Sequence, residues 1–366
     1  MFNRNIVALV VVVVVASAAA SYLVFTPSSG EGIEVVEVTE TAPSFHGWMT
    51  NNPDIKDTGE VWLELINNAQ NTIDIEAYYL NSVSPPMTLD NIYDALINAA
   101  ENREVKVRIL TDGGQIDREM VGELRQYKNI NVLPWHGGGV LHSKYMIVDE
   151  VVSVGSTNLS PPAMDTRGNG NREINLTLRG EEIAETYTHI FETGWTRAGG
   201  ESTGAEYSWE ENWLIPVADG TGSPQVISSI EAFKKLFDWA ESEVYVYEYI
   251  YAGAPHELKN AIFGALERGV KVEVLVDKHS EAYWPGALRE LARNGAGVSV
   301  IDHPRAAHPK LIISDDDWAY IGSSNIHPTW MLEGREVGVL VNSKEMVAVL
   351  LEIFVTDWMY SRYLQP

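Results

Sequence analysis

The chain has 366 residues, of which 45% are hydrophobic and 10% aromatic, so it can bury two hydrophobic cores and is not a disordered chain. Its formal net charge of −25 disfavours the wide basic surface that holds duplex nucleic acid by its phosphates, although it leaves room for a local basic pocket. The chain has no cysteine, which excludes disulfides, thiolate metal sites and a cysteine nucleophile.

The N-terminal segment contains an uncharged apolar run from Ile6 to Phe25. At about 1.5 Å per residue this run is long enough to cross roughly 30 Å of hydrocarbon, so we expect residues 1–25 to form a membrane anchor. A cleaved signal segment is the alternative, because Ala16 to Ala20 offers small residues. Arg4 before the run favours a cytoplasmic N-terminus. We therefore expect a single-pass protein of the cell membrane with the rest of the chain outside the cytoplasm, or a secreted protein if the segment is cleaved.

Residues 26–57 mix Pro, Ser, Gly and acidic side chains without sustained periodicity, which predicts an acidic tether with one short strand at most. From Glu60 the pattern becomes regular. It predicts, in order, a helix, a strand, a helix and a strand: Val61–Gln70, Ile73–Leu80, Leu89–Asn102 and Val105–Thr111. This alternation is typical of the α/β class.

The same order of elements returns in the second half of the chain. VKVRILTD at Val105–Asp112 is repeated as VKVEVLVD at Val270–Asp277, and FETGW at Phe191–Trp195 is repeated as FVTDW at Phe354–Trp358. The repeat predicts two similar lobes, 58–195 and 226–366. Residues 196–225, rich in Gly, Ser, Glu and Trp, are predicted to link them.

Each lobe contains one H-x-K-x(4)-D motif. The first is HSKYMIVD, with His142, Lys144 and Asp149; the second is HPKLIISD, with His308, Lys310 and Asp315. Residues two apart on a strand face the same side, so each histidine should project beside its lysine. A buried strand bears such residues only if something compensates the cost of burying them.

A second polar motif, G-S-x-N, ends the strand that follows each H-x-K motif. Serine and asparagine can donate hydrogen bonds to phosphate oxygens, which predicts as phosphate ligands Ser156, Asn158, Ser323 and Asn325. A carboxylate then begins the next apolar strand in each lobe, Glu173 and Glu336. Each glutamate could fix the tautomer of a histidine.

Together these motifs resemble the phospholipase D superfamily, whose signature is H-x-K-x(4)-D followed by G-S/G-x-N, and the resemblance covers Glu60 to about Tyr363. It implies two similar α/β/α sandwich lobes that form a pseudo-dimer within one monomeric chain. It also implies that His142 attacks phosphorus to give a phosphohistidine, while His308 protonates the leaving alkoxide and then activates water or an alcohol. No metal or cofactor is required.

The resemblance also assigns the supporting residues. Lysine and asparagine would stabilise the charge of the phosphate, through Lys144, Lys310, Asn158 and Asn325. Glu173 and Glu336 would each hydrogen-bond an imidazole. Asp149 and Asp315 are counted among the catalytic candidates, although we expect them to stabilise the local loop or an ion pair.

Two further features have open interpretations. The loop at residues 161–171 offers Arg167, and Arg172 follows it directly; these side chains could bind a phosphate or be solvated surface charges. The aromatic pairs Tyr283-Trp284 and Trp330-Met331 are predicted on loops. They could line an acyl-chain groove, stack on bases, touch a membrane or simply pack.

The predicted function is hydrolysis or transfer of a phosphodiester, and the anchor and acidic surface favour a phospholipid as substrate. One alternative is a membrane-anchored extracytoplasmic nuclease or 5′ exonuclease on single-stranded nucleic acid, because GGVLHSKYMIVD and the FE-x-x-W motif are similar to the eukaryotic exonuclease branch. A cardiolipin synthase-like transphosphatidylase and a non-catalytic binding protein are two more candidates. The head group and the choice between hydrolysis and transfer stay open.

Overall fold

The structure, a computed structural model, describes residues 34–43, 52–81, 88–166, 170–207, 209, 213–223 and 225–365. The predicted anchor, 1–25, lies outside the described residues, as does part of the predicted tether, 26–57. Within the described ranges, no helix is both long enough and apolar enough to span a bilayer.

The first lobe is built on a seven-stranded mixed sheet with the strand order β1-β7-β6-β5-β2-β3-β4. Strands β2, β3 and β4 are parallel, and the other four run antiparallel to their neighbours. In chain order the elements are β1 (Glu34–Thr41), α1 (Thr58–Asn68), β2 (Thr72–Ala77), α2 (Thr88–Asn102), β3 (Lys106–Asp112), α3 (Arg118–Leu124), β4 (Ile130–Trp135), β5 (Lys144–Val148), β6 (Val151–Gly155), β7 (Glu173–Arg179) and α4 (Glu181–Arg197). A short 3₁₀ turn spans Pro161–Ala163.

The second lobe repeats this arrangement on an eight-stranded sheet with the order β15-β11-β10-β9-β12-β13-β14-β8. Its elements are β8 (Leu214–Ala218), α5 (Ser229–Trp239), β9 (Glu243–Glu248), α6 (His256–Glu267), β10 (Lys271–Asp277), α7 (Lys278–Tyr283), α8 (Pro285–Arg293), β11 (Gly297–Ile301), β12 (Lys310–Ser314), β13 (Trp318–Gly322), α9 (Trp330–Glu333), β14 (Val337–Asn342), α10 (Lys344–Met359) and β15 (Arg362–Tyr363). The predicted α/β class and the two lobes are confirmed.

Three hydrophobic clusters hold these layers together. One lies under α1 and α2 in the first lobe, with Trp62 and Ile92, and another lies under α5 and α6 in the second, with Phe233. The third is central and combines Phe191 of α4 with Phe354 of α10. Because this central cluster draws on both sheets, every residue of β5 and of β12 is buried, and the two lobes share one core.

The predicted boundaries of the lobes need revision at two edge strands. Strand β1 lies within the predicted tether, yet it pairs antiparallel with β7 as an integral part of the first sheet. Strand β8 lies within the predicted linker and pairs in the same way with β14. Each lobe therefore begins with a strand that runs alongside the strand carrying its glutamate.

Candidate active site

The two motif histidines open onto one cavity between the lobes. His142 lies two residues before the start of β5, and its backbone N–H donates to the carbonyl of Arg335 in the other lobe over 2.8 Å. In the same way the N–H of His308 donates to the carbonyl of Arg172 over 2.9 Å. Both histidines line a cavity of about 1080 Å³. The repeat has therefore produced a single site with two half-sites.

Each imidazole is held by the glutamate of the opposite lobe. The Nδ1 of His142 lies 2.9 Å and 3.0 Å from the two carboxylate oxygens of Glu336. The Nδ1 of His308 lies 2.8 Å from Oε2 of Glu173. The sequence predicted that these glutamates orient the histidines, but it did not predict that the pairs cross between lobes. With Nδ1 engaged, Nε2 is the ring nitrogen left for the substrate.

Burial sets the protonation of these pairs. It lowers the pKa of His142, and it lowers the pKa of His308 well below its usual range, with the charges of Lys310 and Lys144 adding to the effect. Burial also raises the pKa of Glu173 to about 8. At neutral pH the carboxyl group of Glu173 is therefore mostly protonated. The His308–Glu173 pair holds this proton in addition to the one on the neutral imidazole.

The two lysines are fully buried beneath the histidines. The ammonium of Lys144 donates to the carbonyl of His142, and that of Lys310 donates to the carbonyl of His308 over 2.7 Å. Burial lowers the pKa of Lys144 to about 7 and that of Lys310 to about 8. At a pKa of about 7 Lys144 is only partly protonated at neutral pH, and a bound anion would favour the charged form of both lysines, because little solvent screens the interaction at a buried site.

Two tyrosines that the sequence motifs did not indicate complete the half-sites. The ring of Tyr78 lies 5.0 Å from the ring of His142 and 5.5 Å from the ammonium of Lys144. Tyr249 is placed equivalently, 4.8 Å from the ring of His308 and 5.2 Å from the ammonium of Lys310. Both residues directly follow a strand, β2 or β9, so aligning the repeats would have found them.

The G-S-x-N residues divide into two groups. Asn158 and Asn325 line the cavity as predicted. Oδ1 of Asn325 accepts from the backbone N–H of Ile250 over 3.3 Å, and this orients its Nδ2 as a donor. The amide of Asn325 is therefore placed to donate to a phosphate oxygen, and Asn158 lines the same cavity.

The serines of the same motifs do not line the cavity. Ser323 donates from its hydroxyl to Oε2 of Glu336 over 2.5 Å, and the hydroxyl oxygen accepts the N–H of Val337. The hydroxyl of Ser156 accepts the N–H of Ile174, the residue after Glu173, over 3.0 Å. These contacts fix the chain around the two glutamates, and the structure does not bring the serines to the cavity, where the sequence predicted that they bind phosphate.

The aspartates of the H-x-K-x(4)-D motifs lie at the far end of β5 and β12. The carboxylate of Asp149 accepts the backbone N–H groups of residues 70–72, and that of Asp315 accepts those of residues 241–243. Both adopt a positive φ, 49° and 51°, in the turn to the next strand. They stabilise this turn, as expected, and the structure does not bring them to the catalytic cavity.

Arg172 is also withdrawn from the cavity. Its side chain is 1% exposed, and it donates to Glu40 over 2.6 Å and to Asp357 over 2.9 Å. Its counterpart Arg335 is equally buried and paired with Glu76. Arg172 is thus neither at the cavity nor a solvated surface charge, the two interpretations left open above, and Arg167 lies outside the described residues.

Aromatic side chains form the rim of the cavity. Trp330 lines it and stacks on His327 with ring centroids 4.2 Å apart, and Trp284 contacts His327 at 5.8 Å. Trp330 is 37% exposed and Tyr283 is 70% exposed. Rather than lying on loops, Tyr283 ends α7 and Trp330 begins α9.

A comparison with protein families identifies both lobes. The profile described as "Cardiolipin synthase, PLD-like domain" matches residues 62–195 and residues 233–358. The two matches coincide with the two lobes. Each contains one H-x-K motif, one G-S-x-N motif and one of the two glutamates that bond the imidazoles, Glu173 or Glu336.

Curated proteins of similar sequence cover most of the chain. A probable phospholipase D of Caenorhabditis elegans is 23% identical over 88% of this chain and 69% of its own length. Phospholipase D Z of Dictyostelium discoideum is 26% identical over 82% of this chain and 84% of its own length. Cardiolipin synthase B of Salmonella typhimurium is 24% identical over 77% of this chain and 73% of its own length.

Solved structures share the two-lobed fold. Phosphatidylserine synthase of Haemophilus influenzae Rd KW20 superposes with a TM-score of 0.69 at 16% identity, covering 93% of this chain and 89% of that one. Polyphosphate kinase of Porphyromonas gingivalis gives 0.60 at 12% identity, covering 90% of this chain and 48% of that one. At these identities the likeness concerns the fold alone.

Proposed function

The chain belongs to the PLD-like domain family of the phospholipase D superfamily, and on that premise we propose that it cleaves or transfers the phosphodiester bond of a phospholipid through a phosphohistidine. One observation carries the proposal. Two uncharged imidazoles, each bonded through Nδ1 to a glutamate of the other lobe, face one cavity above two buried lysines. This arrangement offers a nucleophile and a proton donor on either side of a phosphate.

In the first step, Nε2 of His142 attacks phosphorus. The lowered pKa of this imidazole leaves its Nε2 electron pair available when Nδ1–H donates to Glu336. A nitrogen–phosphorus bond forms while the bond from phosphorus to the leaving alcohol oxygen breaks. The electron pair of the broken bond stays on that oxygen, which takes a proton from His308.

The proton for the leaving group comes from the His308–Glu173 pair. Burial raises the pKa of Glu173 to about 8, so the pair holds a transferable proton at neutral pH. Moving this proton from Oε2 to Nδ1, across 2.8 Å, gives an imidazolium whose Nε2–H faces the leaving oxygen. The pair can therefore act as an acid although burial disfavours an isolated imidazolium at this position.

The transition state spreads negative charge over the non-bridging phosphate oxygens. Lys144 and Lys310, whose ammonium groups bond the carbonyls of the two histidines, would supply the positive charge, and Asn158 and Asn325, which line the cavity, would supply amide donors. These groups are already fixed by packing and by hydrogen bonds, so little reorganisation is needed during the reaction.

In the second step, His308 takes the proton of a water molecule or of an acceptor alcohol. The oxygen attacks phosphorus, the nitrogen–phosphorus bond breaks, and its electron pair returns to Nε2 of His142. Water yields a phosphatidic acid, and an alcohol yields a new phosphodiester. The cavity of about 1080 Å³ lies at the top of the usual size range for ligand pockets, which suits a large substrate.

Two observations support a phospholipid as the substrate. Relatives over most of this chain are named phospholipase D and cardiolipin synthase. Two exposed aromatic side chains, Trp330 on the cavity wall and Tyr283 stacked on His279 of that wall, are of the kind found where proteins meet the headgroup level of a bilayer. The single-pass anchor at residues 1–25, with the lobes outside the cytoplasm, is part of the proposal and would hold the cavity beside this surface.

A direct experiment separates the candidate activities. The full chain in detergent is incubated with phosphatidylcholine vesicles and ethanol, with phosphatidylglycerol vesicles, and with a single-stranded oligonucleotide. Phosphatidic acid or phosphatidylethanol supports the proposal, and cardiolipin formed from phosphatidylglycerol shows the transfer variant. Shortened oligonucleotide with intact lipids would replace the proposal by the nuclease, and no product from any of them would leave a binding protein.

A further inference from the structure

The two walls of the catalytic cavity carry different charges although the lobes are repeats. Asp112 and Asp277 end equivalent strands and accept the N–H of the residue before each catalytic histidine, Leu141 over 3.0 Å and Ala307 over 2.7 Å. Because these two bonds are equivalent, the residues of one cavity wall can be aligned with those of the other. In the first lobe the strand is followed by two glycines, and in the second by Lys278 and His279, both of which line the cavity.

The loop before each histidine shows the same asymmetry. Three residues before His308 lies Arg305, which is exposed and lines the cavity. Three residues before His142 lies Gly139, where φ is +69° and an added Cβ would meet the carbonyl oxygen of Glu333 at 1.7 Å. No side chain fits at Gly139. Of these two equivalent positions, only the one in the second lobe, Arg305, therefore presents a cation to the cavity.

Arg305 is the cation on this wall that is free to bind a ligand. Lys278 uses its ammonium on the carbonyl of His303, over 2.7 Å, and on Asp302, over 3.1 Å, so it anchors the loop that presents Arg305. His279 uses Nδ1 on Asp277. The guanidinium of Arg305 has no hydrogen-bond or ion-pair partner within the part of the chain that the structure describes.

This unpaired cation is unusual in its setting. The chain has 51 acidic and 26 basic residues, so carboxylates to pair with an arginine are abundant. In the proposed function the scissile phosphate is assigned to Lys144 and Lys310, which are buried and donate to the backbone carbonyls of the two histidines. Arg305 is therefore available for a second anion, and the planar guanidinium suits a phosphate or carboxylate.

The side of the cavity on which Arg305 lies identifies the part of the substrate that it meets. In an in-line displacement the leaving oxygen departs opposite the attacking Nε2 of His142, next to His308. The leaving alcohol thus extends along the second-lobe wall. This step rests on the proposed function and on its assignment of the two histidines.

We infer that Arg305, on a loop anchored by Lys278, forms an anion subsite for a phosphate or carboxylate carried by the leaving alcohol. The preferred substrates are then phospholipids whose headgroup alcohol bears a second anionic group. Cardiolipin has this chemistry, because its leaving alcohol carries a phosphate, whereas phosphatidylglycerol releases neutral glycerol.

The test compares Arg305→Ala with the unaltered full chain on three substrates. These are phosphatidylcholine vesicles containing cardiolipin, vesicles containing phosphatidylglycerol at the same surface charge, and bis(4-nitrophenyl) phosphate. We expect kcat/KM for cardiolipin to fall by about tenfold, the effect of losing one charge-assisted contact, with less than about twofold change for the other two. Arg305→Lys should recover part of the loss.

Arg289→Ala is the matched control, because Arg289 is exposed on α8 and does not line the cavity; it should change none of the three rates. An equal loss on cardiolipin and phosphatidylglycerol, or no loss on either, would overturn the subsite while leaving the proposed function intact. Turnover of oligonucleotides but not of lipids would overturn the lipid assignment. Absence of turnover of every diester by the unaltered chain would refute the proposed function and the subsite with it.

Discussion

The two histidines have equivalent surroundings but should differ in what their removal does to the reaction. His142→Ala removes the attacking nitrogen, so no covalent phosphoenzyme should form with any substrate. His308→Ala removes the proton donor and the later base, so a diester with a good leaving group such as 4-nitrophenolate should leave phosphoenzyme that accumulates.

Acid-labile phosphohistidine can be trapped by rapid denaturation and measured by intact-protein mass spectrometry. The control is His256→Ala, because His256 begins α6 and does not line the cavity. Equal phosphoenzyme from the two catalytic variants would contradict the assigned roles.

Glu173 should determine the alkaline limb of the pH profile. Its raised pKa of about 8 means that the His308–Glu173 pair is protonated below about pH 8 and loses this proton above it. The rate with phospholipid should therefore fall as the pH rises through about 8. Glu173→Gln cannot supply the proton, so its rate should be lower by about 100-fold, and its alkaline limb should be changed to the one set by Lys144 and Lys310, which lose charge in the same pH range.

With bis(4-nitrophenyl) phosphate, which needs no acid, the loss in Glu173→Gln should be much smaller. Glu181→Gln, in the first turn of α4, is the control. Steady-state rates measured from mildly acidic to alkaline pH make the comparison; an unchanged alkaline limb in Glu173→Gln would argue against the pair as proton donor.

The chemistry of the site was predictable at this scale because it is local in sequence. The residues of H-x-K and G-S-x-N lie within one hairpin, so their types and spacing indicate a phosphate site. The crossing of His142 to Glu336 was not predictable, because equivalent glutamates in two repeats are indistinguishable until the lobes are docked. The contact of Ser323 with Glu336 was not predictable either, because a hydroxyl donor suits phosphate and carboxylate alike.

At the scale of elements, the motif aspartates act on turns. Asp315 accepts three consecutive N–H groups that precede and begin β9. Asp315→Gly keeps the positive φ accessible but removes the acceptor, so the free energy of unfolding should fall by about 1–3 kcal/mol. Because the carboxylate lies outside the cavity, the KM of the folded enzyme should stay nearly unchanged.

Urea unfolding at neutral pH measures this effect, together with initial rates at low temperature. Asp316→Gly is the control at the next position, since its ion pair with Lys344 is exposed and contributes little. A large loss of kcat in Asp315→Gly without any loss of stability would return this aspartate to the catalytic candidates.

Strand β1 was the least predictable element. Its sequence, EVVEVTET, is short and mixes acidic, apolar and threonine residues without strict alternation, and its partner strand β7 follows much later in the chain. Local periodicity does not report such a distant pairing. The helices and parallel strands were predictable because their apolar patterns are long and recur in both lobes.

Removing this strand tests whether it belongs to the lobe. A fragment that starts at Thr58, the predicted boundary, exposes the edge of β7 and removes Glu40 from the buried Arg172. We expect it to be insoluble or to unfold well below the temperature of a fragment that starts at Thr26. Circular dichroism melts of the two fragments decide; equal melting would mean that β1 is dispensable.

At the scale of the whole molecule, the equivalent buried arginines of the two repeats pair with carboxylates at different positions of the fold. Arg335 pairs with Glu76 on β2, where the equivalent position of β9 is Tyr247, and Arg172 pairs with Asp357 on α10. The position of α4 equivalent to Asp357 is Gly194, where an added Cβ would lie 2.9 Å from the Arg335 guanidinium. The first lobe thus supplies its carboxylate from a strand, at Glu76, and the second lobe supplies its carboxylate from a helix, at Asp357.

This exchange predicts a partial rescue. Asp357→Gly should lower the free energy of unfolding by about 1–3 kcal/mol, because it removes the acceptor of the Arg172 and Tyr247 hydrogen bonds while Glu40 keeps its ion pair with Arg172. Adding Tyr247→Glu recreates the arrangement of the first lobe and should recover part of this loss, less the roughly 1 kcal/mol cost of glycine in a helix. Thermal and urea unfolding of the single and double variants measure it; a double variant less stable than both singles would contradict the equivalence.

The crossed glutamates make catalysis a property of the contact between the halves. Neither half holds a correctly oriented imidazole by itself, so the working enzyme depends on how often the halves are in register. Tethering through residues 196–225 keeps their effective concentration on the order of millimolar, whatever the dilution of the chain. Dilution should therefore leave turnover per molecule unchanged, whereas a substitution anywhere along the shared core that loosens the docking would silence both half-sites at once.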